Sequence, residues 1–187
     1  MKRAIVVVTL GMLGLGVTGC ASDHPEKLPP TDDPVVWAGR LCSSLSPLAG
    51  LRNVRPKFDP NDPATSKDSL SRYFDDTQAR VSESLLGLEQ VGPSPISGGD
   101  EVAGKVRGGL ERLRGAFASA RSEVEAVDPT DPVELGAKLP DLLGRLATAA
   151  ADPDLSTIGD NAALNDAVHR SPSCALMNGN VPPSPPN

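Results

Sequence analysis

From residue 34 onward, apolar residues return every third or fourth position, the period that lays them along one face of an α-helix. Ala38, Leu41, Leu45 and Leu48 follow Asp33-Pro34, where Asp can cap the helix and Pro takes its first position. Cys42 falls beside that stripe, and Pro47 and Gly50 limit how far the helix continues. A second helix is predicted over about 66–91, starting at Thr65 or Ser66 and closing before Gly92-Pro93. Its stripe is Leu70, Phe74, Val81, Leu85 and Leu88, with Tyr73 beside it and an Asp76–Arg80 pair on the outer side. The third helix, about 99–127, is the longest. Ser97 can cap it with Asp100 three residues on, and Val102, Val106, Leu110, Leu113, Phe117, Val124 and Val127 keep near-heptad spacing. Asp131-Pro132-Val133-Glu134 opens a fourth helix in a capping-box arrangement. Leu135, Leu139, Leu142, Leu143 and Leu146 form its apolar face, opposite the pairs Glu134–Lys138 and Asp141–Arg145. Pro140 should kink this helix or close it early. A short helical piece over about 160–170, with Leu164 and Val168, leads to Cys174.

These elements predict an all-α fold: an antiparallel four-helix bundle over residues 34–177 with a short extra C-terminal helix. Two features of the bundle have both a packing and a binding reading. Trp37, the single tryptophan, either fills one end of a core poor in large side chains or marks a ligand cleft. Gly104-x-x-x-Gly108, with Gly109 and Gly115 further on, costs helix stability and so reads first as a site of close helix approach. Lys105 and Arg107 inside the step exclude a membrane association motif. Between the first two helices, residues 52–65 form a proline-rich connection carrying Arg52, Arg55 and Lys57 around Phe58. It reads as a crossover first and a contact surface second.

Composition sharpens this picture. Aromatic residues make up 3% of the chain, so the core must be built from Leu, Val and Ala. The formal charge is -6, poorly suited to a phosphate backbone, and no nucleic-acid partner is expected. The excess of Arg over Lys, with abundant Ala, Gly and Pro, has the bias of a high-GC bacterium.

The first twenty residues have a pattern of their own. Lys2 and Arg3 precede an uncharged apolar run, Ala4 to Val17, too short for an ordinary membrane span. Small residues and a cysteine close it, as Val17-Thr18-Gly19-Cys20. This resembles the lipobox of bacterial lipoproteins. The resemblance implies that residues 1–19 are a signal peptide, that Cys20 receives a diacylglyceryl group, and that the chain is cut before it. The mature chain would then sit on the outer face of the plasma membrane, with formal charge -8 after loss of Lys2 and Arg3. Residues 20–33, with three prolines and no apolar period, read as the lipidated cysteine and a flexible tether. His24 lies in it without a metal-ligand partner. The ten residues 178–187, ending in PPSPPN, read as a disordered proline-rich tail.

With Cys20 assigned to lipid, Cys42 and Cys174 remain, and an even pair in an exported chain points to one disulfide. It would clasp the first helix to the C-terminal segment; the alternative is two buried free thiols. Beyond residue 20 the chain is similar only in layout to small helical lipoproteins of actinobacteria.

Site chemistry is sparse. His169 has no evident partner, no Cys/His spacing suits zinc, and there is no nucleophile elbow or phosphate loop. Asp75 and Asp76 share an exposed turn. No catalytic residue, cofactor or metal is expected, and the chain reads as a non-enzyme. Two functional expectations follow: an adaptor presenting a helical face to another envelope protein, or a carrier of an apolar, lipid-like ligand between the glycine-relieved helices.

Overall fold

Asp-Pro pairs set the frame of the fold. In the computed structural model, which describes residues 28–59, 61–128, 131–151 and 161–177, three helices begin at such a pair. Helix α1 (Pro34–Ala49) is capped by Asp33, whose carboxylate accepts from the Val35 and Val36 N–H groups. Helix α2 (Pro63–Gln90) is capped by Asp62, which accepts from Thr65 N–H at 3.0 Å. Helix α4 (Pro132–Ala150) is capped by Asp131, accepting from Val133 and Glu134. Each carboxylate satisfies amides that have no partner within the helix, and each proline occupies a position needing no N–H. The second helix therefore starts at Pro63, ahead of the expected Thr65 or Ser66.

Helix α3 (Gly99–Glu125) begins differently. Its N-cap is Gly98 in the left-handed region (φ 76°) with no side-chain cap, so Ser97 does not play the expected part. The Ser97 carbonyl instead accepts from Asn161 Nδ2 at 2.8 Å, and Asp100 accepts from Ser94 N–H. Two shorter helices, α5 (Ala162–Arg170) and α6 (Pro172–Met177), complete the described chain. Every regular element among the described residues is helical, apart from a 3₁₀ turn at Gly50–Asn53.

Glu89 pairs with Arg107 and Asp75 with Arg121, while Lys67 reaches the Glu125 and Val127 carbonyls, so α3 descends as α2 ascends. Likewise Trp37 on α1 meets Gly92 past the end of α2, and Arg80 meets Pro47. Two cores are stacked along the α2–α3 hairpin. The first gathers Trp37 and Leu41, Val81, Leu85 and Leu88, Val102 to Leu110, and Leu164 of α5. The second gathers Leu70, Phe74, Phe117, Val124, Leu135, Leu142 and Leu146, with Leu113 packed against both. Tyr73, Phe74 and Phe117 form an aromatic trio there, their ring centroids 5.7–6.2 Å apart.

Three expectations for α4 are corrected: an early close at Pro140, Leu143 on the apolar face and the Asp141–Arg145 pair. The helix continues ten residues past Pro140, because Leu142 and Leu146 beyond it are buried in the second core. Leu143, expected on the apolar face, is 57% exposed, and Arg145 pairs with Glu123 of α3 at 2.5 Å rather than with Asp141. Glu134–Lys138 forms as expected, at 2.6 Å.

Candidate functional site

The two cysteines lie on facing elements. Cys42 of α1 and Cys174 of α6 are bridged, with S–S 2.00 Å, Cα–Cα 5.1 Å and a sequence separation of 132. The geometry is that of an ordinary disulfide. It ties the C-terminal helix to the middle of α1. Cys20, His24 and the tail 178–187 lie outside the described residues.

Close approach occurs at Gly87 and Gly39, whereas Gly104 and Gly115 of the heptad-patterned helix stand clear of other elements. A Cβ on Gly104 or Gly115 would meet nothing within 4 Å, so these positions relieve no helix contact. A Cβ on Gly87 would lie 2.9 Å from Ser44 Cβ and 3.1 Å from Ser44 Cα. That is the crossing of α1 and α2. A Cβ on Gly39 would lie 3.0 Å from Ser171 Oγ, where the turn into α6 leans on α1.

Around these two contacts lies a solvent-open groove of about 590 Å³. Its walls are α1 (Val35, Val36, Gly39, Arg40, Ser43, Ser44), the end of α2 (Gly87, Gln90, Val91) and the turn Ser171–Ser173, with Leu28 at one end. Leu28 and Val36 remain 42% and 44% exposed. Among the described residues no carboxylate lines it, although the chain is acidic overall. Among the described lining residues the only charged side chain is Arg40, whose Nη1 donates to the Pro29 carbonyl at 2.6 Å and holds the incoming segment against α1. A second depression of about 370 Å³ shares Ser43, Ser44, Gly87 and Gln90 and carries on to Pro47, Glu83 and the exposed Leu86. Together they follow the α1–α2 seam. A separate depression of about 730 Å³ between α3 and α4 is lined by Arg112, Asp141, Arg145 and Thr148 among others.

The remaining candidates have plain structural places. Trp37 is fully buried in the first core, its Nε1 donating to the Gly92 carbonyl at 3.2 Å, which makes it a core residue. His169 is exposed in the last turn of α5. Asp75 pairs across to Arg121 of α3. The connection after α1 is pinned by serines of α2. Ser69 Oγ accepts from Lys57 N–H, and Ser66 Oγ bonds both the N–H and carbonyl of Asp59. Phe58 and Val54 stay exposed there. Two carboxylates are held below their ordinary range. Glu134 is lowered first by its hydrogen bond from Lys138 and then by the Asp128 amide; Asp62 is lowered by the Thr65 amide.

Among the described residues no cluster of three or more His, Cys, Asp or Glu could hold a metal ion, and no helix is long and apolar enough to cross a membrane. No family model matches the chain, and neither curated proteins nor solved structures contain a match. The groove was not visible in the sequence. Its residues belong to no motif, and the only available signals were Gly39 and Gly87 within helices and the apolar Val36 and Leu86 off the core stripes.

Proposed function

We propose that this protein is an exported lipoprotein, anchored through Cys20 to the outer face of the plasma membrane. There it acts as a non-enzymatic adaptor that seats an apolar segment of another envelope protein in the α1–α2 groove. The four longer helices are read as an antiparallel bundle whose first two members present that seam. The observation that carries the reading is the groove itself: an open trough whose described lining holds the exposed Leu28 and Val36 and no carboxylate, on an acidic chain. Apolar side chains left exposed along a helix seam suit an amphipathic partner segment. The Cys42–Cys174 bridge supports an oxidising compartment.

A photo-cross-linking residue at Val36, in the full chain expressed in its own cells, should yield one discrete protein adduct. The adduct should disappear with Ser43→Arg in the same groove and be absent when the cross-linker replaces the exposed Leu143 of α4. Equal labelling at 36 and 143, or none at 36, would overturn the adaptor reading.

The carrier reading is favoured by one observation, the groove volume of about 590 Å³, which lies in the range of small-ligand sites. Gly104 and Gly115 add nothing to it, since both face open space. A reproducible extra mass in native mass spectrometry, lost on denaturation, would favour the carrier over the adaptor.

A further inference from the structure

We propose that the Cys42–Cys174 bridge is a redox-sensitive strap on the groove: reducing it frees α6 alone, removing one wall while the rest of the fold stays closed. The inference rests on the reading of that groove as the docking surface.

The wall and the strap are adjacent in sequence. Ser171, Pro172 and Ser173 line the groove, and Cys174 follows at once. Helix α6 has six residues, far fewer than the roughly 12–15 an isolated helix needs to persist in water. Its described side chains are small, and only Cys174 and the preceding Ser171 are buried, each at 2% exposure. The covalent bond therefore adds a fixed tie to the packing of this short helix against α1. Helix α5 is held differently. It buries Leu164 and Ala167 in the first core, and Asn161 donates to the Ser97 carbonyl at its start. Between the two helices the backbone leaves helical geometry at Ser171 (φ -85°, ψ 122°), which supplies the hinge.

Cys42 is partly exposed whereas Cys174 is buried, so an incoming thiolate would reach the Cys42 sulfur. With a dithiol reductant, one thiolate attacks Cys42 Sγ and the S–S bond breaks. Cys174 leaves as thiolate and takes up a proton. The second thiol of the reductant then attacks the mixed disulfide, releasing Cys42 as a thiol and leaving the reductant as its own disulfide. Two electrons pass from reductant to bridge.

Amide hydrogen exchange on the full chain tests this, comparing the oxidised protein with protein reduced by excess phosphine and confirmed by alkylation of both thiols. Amides of 171–177 should exchange at least about tenfold faster after reduction, while those of α1 and α5 stay within about twofold. The double variant Cys42→Ser, Cys174→Ser should match the reduced protein without any reductant. Unchanged protection at 171–177, equal deprotection of α1 and α5, or a bridge that resists excess reductant in the folded state would each overturn the strap. No partner is needed for this measurement, so its failure leaves the docking reading standing. Loss of the Val36 adduct would likewise leave the strap standing.

Discussion

Glycine inside a helix costs stability unless something needs the missing Cβ, and this chain holds both kinds. At Gly87 the methyl of an alanine would press on Ser44 Cβ and Cα, atoms fixed to the α1 backbone that cannot turn aside. At Gly104 it would enter open space. Gly87→Ala should therefore destabilise by about 1–3 kcal/mol through overpacking. Gly104→Ala should stabilise by about 0.5–1 kcal/mol, the helix penalty of glycine relative to alanine. Urea midpoints moving in opposite directions would bear this out; two shifts of the same sign would contradict the helix crossing described here. A heptad reading favours Gly104 because it sits in a small-residue step. Only the neighbour across the seam distinguishes the two positions.

Helix starts behave more predictably, because capping is a local transaction between a side chain and amides two or three residues away. Asp33, Asp62 and Asp131 all cap a helix opened by proline, and two of the three were readable from their sequence alone. The start at Pro63 was missed because the proline-rich run before it resembles a continuous connection. Glu134 extends the cap of α4, receiving Lys138 on one oxygen and the Asp128 amide on the other. Both donors favour the charged form and lower its pKa in the folded state. The stabilisation is thus complete above the ordinary glutamate range and is lost as pH falls through the lowered folded value. Glu134→Gln should lower Tm near neutral pH, and the gap to the parent protein should close as pH drops from about 6 to about 3. A gap that stays constant with pH would show that the charge of Glu134 has no part in the cap.

At the scale of the molecule, the long α2–α3 hairpin carries two cores, one closed by α1 and α5 and the other by α4. The bridge fastens the C-terminal segment onto the first of these, a ring closure over 132 positions that limits the freedom of the unfolded chain. If the proposed anchor holds, Cys20→Ala should move the protein from the membrane fraction to the soluble fraction, while the Cys42–Cys174 bridge still forms. Retention in the membrane fraction would undercut the anchor and leave the groove as a free-standing feature.

The sequence by itself determined the helical class, the apolar stripes and most helix starts, because those depend on a period of 3.6 residues and on contacts a few residues apart. It also pointed to the Cys42–Cys174 pairing, though only through the lipobox resemblance that set the third cysteine, Cys20, aside. The stacking of two cores, the continuation of α4 through Pro140 and the close crossing at Gly87 were decided only by tertiary structure. Each depends on which side chain arrives from a distant helix: Leu142 and Leu146 hold α4 against the second core, and Ser44 makes glycine necessary at 87. The groove belongs to the same category. Its Leu28, Val36, Gly87 and Ser171 come from four separate stretches of chain, and no local pattern brings them to one surface.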